Sequence, residues 1–200
     1  MDFISRVRKD GLPTVAIAQA WLNHEDCATV LESHAQRGFV RGIRHKPKPG
    51  MMDDASWRAG YRRLAPLGLH FELQAPWRQL EEAARLAGDF PDTTLVLNHT
   101  GLPLDPEIEG WKATVTRLAA CPNVVVKISG LGNVTRKREV VLSTIEAFGV
   151  ERCMFASNFP VDGLRGTFDA IYSEFDRLTR ELDQRALFHD NAVRIYRMNA

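Results

Sequence analysis

The feature that most constrains this chain is a regular alternation of short apolar segments with longer amphipathic ones. The short segments are rich in β-branched residues and predict strands at 14–20, 39–45, 69–74, 94–99, 123–129 and 152–158. The amphipathic segments predict helices at 27–34, 54–67, 77–89, 111–120 and 138–148, with two more at 164–178 and 183–196. No two-residue hairpin signal joins consecutive strands, so we expect a parallel α/β sheet with right-handed crossovers.

Two architectures fit this pattern, an open doubly wound sheet and a (β/α) barrel of the TIM type. Polar side chains occur at or near the carboxyl ends of five predicted strands: His45, Gln74, His99, Lys127 and Asn158. A barrel gathers all its strand ends on one rim, whereas an open sheet brings together only those beside its switch point. We therefore expect residues 1–200 to form one barrel domain. It would be incomplete, because about six units fall short of the eight in a closed barrel.

Composition excludes several classes of function. The 26 basic and 25 acidic residues nearly cancel, so nothing in the charge balance indicates a nucleic acid or a membrane surface as a partner. No apolar run approaches the ~20 residues of a membrane span, and the first ten residues lack the apolar core of a secretory leader. The three cysteines lie far apart in the chain. We expect a cytoplasmic protein with reduced thiols.

Histidine and arginine side chains at two strand ends are candidates for chemistry. His99 has an ordinary pKa near ~6.5, so it can shuttle a proton or bind a metal, and His45 can do the same. Arg44 can hold a carboxylate through two hydrogen bonds. Because neighbours on a strand point to opposite faces, only one of Arg44 and His45 can enter the barrel. We expect it to be His45.

The later strand ends offer four further candidates. Lys127 can polarise a carbonyl group, although a side chain that only reaches towards solvent is equally compatible with its position. Ser129 ends the same strand, and Gln74 and Asn158 can form hydrogen bonds but cannot act as bases. Asp162 is the nearest carboxylate after the last strand, where we favour capping of the helix at 164–178 over catalysis.

Short motifs of several enzyme classes are absent from the sequence. There is no HxH, HExxH or CxxC pair, and no G-x-S-x-G turn for a nucleophilic serine. The Gly130-Leu131-Gly132 run is too short for a dinucleotide fingerprint. A metal site would therefore need His45 and His99, with Asp162 as the third candidate ligand, which is an incomplete ligand set.

Six motifs follow one another along the chain: Gly42-Ile43-Arg44-His45, the strand at 69–74, Phe90-Pro91-Asp92 leading into 96–101, Lys127-Ile128-Ser129-Gly130, residues 152–161, and 191–196. Taken in this order, they resemble the amidohydrolase superfamily. The branch they resemble is the amidohydrolase-2 group of metal-dependent hydrolases with a TIM-barrel fold. That group includes sugar-lactone and pyrone-dicarboxylate lactonases.

The resemblance implies a distorted (β/α)8 barrel that hydrolyses C–O or C–N bonds or decarboxylates its substrate. Water is activated in that family by one or two divalent metals, such as zinc or manganese, or without metal in some lactonases. By motif, the strand at 14–20 matches the third barrel strand and His99 the functional histidine of the sixth. Asn158 stands where the eighth strand carries a catalytic aspartate. The first two strands, with the HxH motif, have no counterpart, so we expect a chain truncated at its N-terminus relative to the family.

Our leading hypothesis is a hydrolase acting on a cyclic ester (lactone) or amide of a small carboxylated molecule. His99 would be a proton shuttle or, with His45, a metal ligand. Asp162 would replace the base, because the amide of Asn158 cannot take a proton from water. The substrate-binding residues would be Arg44, His45, Gln74, Lys127 and Ser129. The cofactor would be one divalent metal, or none because the HxH motif is absent.

Two alternatives remain open at this stage. An incomplete, inactive barrel would at most bind a small anion through Arg44, His45 and His99. Its exposed sheet edge would promote self-association, and hence a homo-oligomer. A Rossmann-like nucleotide binder is the weaker alternative, because no glycine fingerprint follows any predicted strand.

Overall fold

A computed structural model describes residues 2–8 and 12–198, and all six predicted strands are present in it. The strands are β1 (Ala16–Gln19), β2 (Val40–His45), β3 (His70–Leu73), β4 (Leu95–Leu97), β5 (Val124–Ile128) and β6 (Cys153–Phe155). They form one sheet in which every neighbouring pair is parallel. The parallel α/β prediction is confirmed.

The strand order distinguishes between the two architectures. The strands lie side by side in chain order from β1 to β6, without the reversal that defines a doubly wound sheet. Sequential order is that of a (β/α) barrel. Among the described residues, β1 and β6 each pair with one strand only, so the sheet keeps two open edges. The prediction of an incomplete barrel of six units is confirmed.

Eight helices occur in the described part of the chain. They are α1 (Asp2–Val7), α2 (Cys27–Ala35), α3 (Ala55–Tyr61), α4 (Leu80–Asp89), α5 (Ile108–Ala119), α6 (Lys137–Phe148), α7 (Phe168–Leu178) and α8 (Asn191–Tyr196). None is both long and apolar enough to cross a membrane. Three predicted helices begin later than expected, because a 3-10 turn at Trp77–Gln79 precedes α4, another at Asp162–Leu164 precedes α7, and a π-helical turn at Ala186–Asp190 precedes α8.

The two faces of the sheet carry different side chains. The face towards helices α2 to α7 is apolar, and Ile43, Phe71 and Leu97 belong to the main hydrophobic core. The inner face carries a smaller apolar layer in which Val96, Val125 and Met154 pack against Tyr196. Helix α8 therefore covers part of the surface that would line the inside of a barrel.

Strand register determines which polar residues share the inner face. Arg44 is paired with Glu72, Glu72 with Val96, and Val96 with Val125. Lys127 follows Val125 by two positions, so its side chain points to the same face. Three charged side chains from separate strands thus converge above the apolar layer of the inner face.

Candidate active site

Glu72 forms the centre of a buried charge cluster on the inner face. Its side chain is fully buried, and its Oε2 lies 2.7 Å from Lys127 Nζ and 3.4 Å from Arg44 Nη2. Its other oxygen, Oε1, accepts a 2.6 Å hydrogen bond from the Tyr196 hydroxyl. One carboxylate therefore faces two cations, which leaves an excess positive charge when Lys127 is protonated.

The ionisation of this cluster follows from its burial and its pairing. Burial alone would raise the pKa of Glu72, but the charge of Lys127, the His70 ring 3.7 Å away and hydrogen bonds from Lys127 and Tyr196 hold that pKa below its usual range. Burial lowers the pKa of Lys127, and the charge of Glu72 opposes the change. The carboxylate is thus ionised at neutral pH and favours the protonated form of the lysine beside it.

His99 follows β4 and lies in the same site. Its Nδ1 is 2.9 Å from Ser129 Oγ at the end of β5. Burial, followed by the charges of Lys127 and Arg44, lowers the pKa of His99 to about 4, while Asp162 and Glu72 oppose the change. The imidazole is therefore neutral at pH 7 and free to accept a proton. One site therefore contains the five residues whose charges interact: His99, Lys127, Arg44, Asp162 and Glu72.

Gly130 makes room for the His99 ring. Its backbone has a φ of +69°, and a Cβ added there would lie 2.8 Å from His99 Nδ1. Both the left-handed conformation and the close contact require glycine. In the sequence, Gly130 stands out only as part of a family-like motif and of a glycine run too short for a dinucleotide fingerprint, because a glycine after a strand does not reveal which side chain it accommodates.

The loop after β6 supplies a carboxylate and an amide. Asn158 Nδ2 donates a 3.1 Å hydrogen bond to Asp162 Oδ1, and both residues are half-buried. The predicted capping role of Asp162 is wrong, because α7 begins at Phe168 and the Thr167 side chain caps it. Asp162 is instead close enough to influence the ionisation of His99.

The expectation that His45 rather than Arg44 enters the interior is wrong. His45 is paired with Leu73, which belongs to the helix-facing core, whereas Arg44 is paired with Glu72 on the inner face. The indole N–H of Trp57 donates to His45 Nδ1 over 3.0 Å, which directs the imidazole towards α3. Burial lowers the pKa of His45 as well.

The predicted residue Gln74 lies apart from the charged cluster, whereas two residues that were not predicted belong to it. Gln74 lies half-buried just beyond β3 and forms no hydrogen bond to the described members of the cluster. Glu72 and Tyr196 were not expected in the site. The only sequence signal for Glu72 was a charged residue inside an apolar strand, at the register position of other inward-facing residues.

Two cavities flank the site at the carboxyl ends of the strands. A cavity of about 520 Å³ opens beside Arg44 and is lined also by Gln19, Trp21 and His45. A smaller one, about 120 Å³, lies beside Asp162 and is bounded by the loops that follow β5 and β6 and by helix α7. Each cavity thus borders one residue of the site, Arg44 or Asp162.

Comparison with known proteins gives two informative relatives. The uncharacterized protein y4mH of Sinorhizobium fredii is 40% identical over 213 aligned residues, covering 95% of this chain and 72% of that protein. The L-fucono-1,5-lactonase of Burkholderia multivorans is 26% identical over 185 residues, covering 78% of this chain and 62% of the lactonase. The chain thus spans less than two thirds of the lactonase.

A solved structure with a similar fold contains zinc. It is an amidohydrolase from Burkholderia multivorans, with a TM-score of 0.89, 24% identity, and coverage of 99% of this chain and 78% of that one. Among the residues described here, no three His, Cys, Asp or Glu side chains could hold a metal ion together. His45 Nδ1 accepts a hydrogen bond from the Trp57 indole, so the neutral His45 ring carries its proton on Nε2 and has no free nitrogen for a metal.

The charges around His99 also disfavour a cation. Both oxygens of Glu72 already accept hydrogen bonds, and Arg44 and Lys127 would repel a divalent ion. The donor set of the described residues therefore does not fit a divalent metal.

The family itself is clear from the sequence as a whole. The amidohydrolase family profile matches residues 8–198, nearly the entire chain. The parallel sheet with sequential strand order and a histidine at the carboxyl end of β4 agree with that match. The chain belongs to the amidohydrolase family.

Proposed function

We propose that this protein is a hydrolase that opens the lactone ring of a small carboxylated molecule, giving a hydroxy acid. The observation that carries the proposal is a neutral, buried His99 beside two cations at the carboxyl ends of the strands. The similarity to L-fucono-1,5-lactonase supports a cyclic ester as the reacting group.

The reaction requires one proton acceptor and stabilisation of one developing negative charge. With its proton on Nδ1, His99 donates to Ser129 Oγ and leaves Nε2 to accept a proton from water. The hydroxide adds to the lactone carbonyl, and the ring C–O bond then breaks. The leaving oxygen takes the proton back from His99, so lactone and water balance the hydroxy acid.

Lys127 and Arg44 act on the negative charge of the reaction. The ammonium of Lys127 stabilises the oxyanion that forms when hydroxide adds to the carbonyl group. Arg44, whose side chain is 37% exposed, binds the carboxylate of the substrate. The excess positive charge of the cluster supports an anionic substrate. A role for Gln74 in binding the same molecule remains a prediction.

Asp162 and Asn158 assist the proton acceptor. As His99 takes a proton, the Asp162 carboxylate stabilises the imidazolium, because an opposite charge favours the protonated form. The hydrogen bond from Asn158 fixes the orientation of that carboxylate. If Asp162 itself were the base, His99 would be dispensable, which the variants below distinguish.

We also propose the cytoplasm as the site of action and a small molecule as the partner. All three cysteines, Cys27, Cys121 and Cys153, are free, which supports a reducing compartment. The open edges at β1 and β6 support self-association of the chain.

The proposal is tested by incubating the purified chain with a panel of lactones that do or do not carry a carboxylate. We expect carboxylated lactones to be opened, at the same rate with EDTA, zinc or manganese. The acid released on ring opening measures the rate. A correctly folded chain that opens no lactone would refute the proposal and favour a binding role.

A further inference from the structure

Glu72 is the residue through which four separate elements meet. Its two oxygens contact Lys127 from β5, Arg44 from β2 and Tyr196 from α8, while β3 carries Glu72 itself. Its side chain has no exposed surface, so no substrate atom can reach it directly. Any contribution of Glu72 to the reaction must act through its neighbours.

The contacts of Lys127 show that its ammonium depends on Glu72 for a negatively charged partner. Its Nζ lies 2.7 Å from Glu72 Oε2 and 5.6 Å from the centre of the Tyr196 ring. The other group whose charge acts at this position is Arg44, which is positive. Among the described residues, Glu72 is thus the only carboxylate paired with this largely buried ammonium.

The contacts of Tyr196 fix the carboxylate from the opposite side. The hydroxyl donates to Glu72 Oε1 over 2.6 Å, and the ring packs 5.1 Å from that of His70. With Oε1 occupied in this way, Oε2 is directed towards the two cations. Helix α8 therefore takes part in the geometry of the site, although it lies far from β2, β3 and β5 in sequence.

We propose that Glu72 is the positioning residue of this site, holding the Lys127 ammonium and the Arg44 guanidinium side by side while Tyr196 anchors its second oxygen. Lys127 then faces the substrate carbonyl and Arg44 the substrate carboxylate. This inference rests on the proposed function for the roles of the two cations. The clamp itself, meaning Glu72 held by Tyr196 and paired with Lys127 and Arg44, is a property of the folded chain.

The decisive variant is Glu72→Gln, which keeps the shape of the side chain and removes its charge. We expect the pKa of Lys127 to fall by at least ~1 unit. NMR of labelled lysine side chains measures this pKa, and the Lys127→Arg variant assigns the signal. We expect kcat/KM for a carboxylated lactone to fall about 100-fold, as for other displaced catalytic groups. The alkaline limit of activity should move to lower pH, which a purely structural role would not cause.

Two further variants separate charge from position. Glu72→Asp keeps the charge but shortens the side chain, so we expect a nearly unchanged Lys127 pKa with kcat reduced roughly 10-fold. Glu139→Gln is the matched control, because Glu139 pairs with Lys112 between α5 and α6, outside the site. It should leave kcat, KM and the Lys127 titration as in the unaltered chain.

The outcomes distinguish this inference from the proposed function. An unchanged Lys127 pKa in Glu72→Gln would overturn the inference, whether or not any lactone is hydrolysed. If Glu72→Gln does not fold, Glu72→Asp decides, and full kcat in that variant would overturn it. A lowered Lys127 pKa in a chain without lactonase activity would support the clamp and refute only the proposed reaction.

Discussion

His99 Nδ1 lies 2.9 Å from Ser129 Oγ, which joins the carboxyl ends of β4 and β5. When the imidazole is neutral, this contact can hold its proton on Nδ1 and leave Nε2 as the acceptor. A histidine that is buried, neutral and fixed in orientation has the properties of a proton acceptor in catalysis.

Acid should destabilise the chain through His99. Its pKa is about 4 in the folded chain, against ~6.5 when unfolded. The unfolded chain therefore binds a proton first, and the free energy of unfolding decreases as pH falls from ~6.5 towards ~4. Urea unfolding at pH 7 and pH 4.5 measures how much the free energy of unfolding decreases between the two pH values. This decrease should be smaller by about 2.5 kcal/mol in His99→Asn than in the unaltered chain. Equal losses in both chains would contradict the folded-state ionisation.

Asp162→Asn should weaken the proton acceptor without removing it. The carboxylate opposes the lowering of the His99 pKa, so its loss should move the acid limit of kcat/KM to lower pH. We expect kcat near neutral pH to fall roughly 10-fold. Complete loss of activity in a folded Asp162→Asn chain would instead identify Asp162 as the base. Kinetics from pH 3.5 to pH 8 make the distinction.

Gly130→Ala should damage both stability and the site. The new Cβ would lie 2.8 Å from His99 Nδ1 in a backbone conformation with φ of +69°. We expect the free energy of unfolding to decrease by about 1–3 kcal/mol, with loss of activity. Gly88→Ala is the control, because nothing lies within 4 Å of its Cβ position inside α4. A harmless Gly130→Ala would show that His99 does not occupy this place.

Arg44→Gln should act on substrate binding, whereas His45→Phe should act on stability. Removing the guanidinium should raise KM for a carboxylated lactone about 10-fold or more and leave KM for an uncharged lactone nearly unchanged. His45→Phe loses the hydrogen bond from Trp57, so we expect a cost of about 1–2 kcal/mol in unfolding and little change in KM. A raised KM in His45→Phe, with KM unchanged in Arg44→Gln, would contradict this assignment and place His45 in the interior.

The strands and their order could be predicted because each strand is an apolar run bounded by turn residues. All six were located in this way, and the polar residues at their ends indicated which rim carries the site. The helix starts were less accurate, since the 3-10 turn at Asp162–Leu164 is set by the loop that positions Asp162. Propensity alone does not contain that information.

The face occupied by Arg44 and the role of Glu72 could not be obtained from the sequence. Alternation fixes that Arg44 and His45 point apart, but the register with β3 decides which of them points inward. The Glu72 carboxylate becomes meaningful only through Lys127 and Tyr196, which lie 55 and 124 residues away in the chain. Contacts of that kind arise from tertiary structure.

The most direct test of the account is the pH profile of kcat/KM for a carboxylated lactone, measured for the unaltered chain and for His99→Asn. We predict that activity of the unaltered chain falls below about pH 4, where His99 gains a proton. His99→Asn should fold and lose at least about 100-fold in kcat/KM. A folded His99→Asn chain that retains full activity with the same profile would contradict the account.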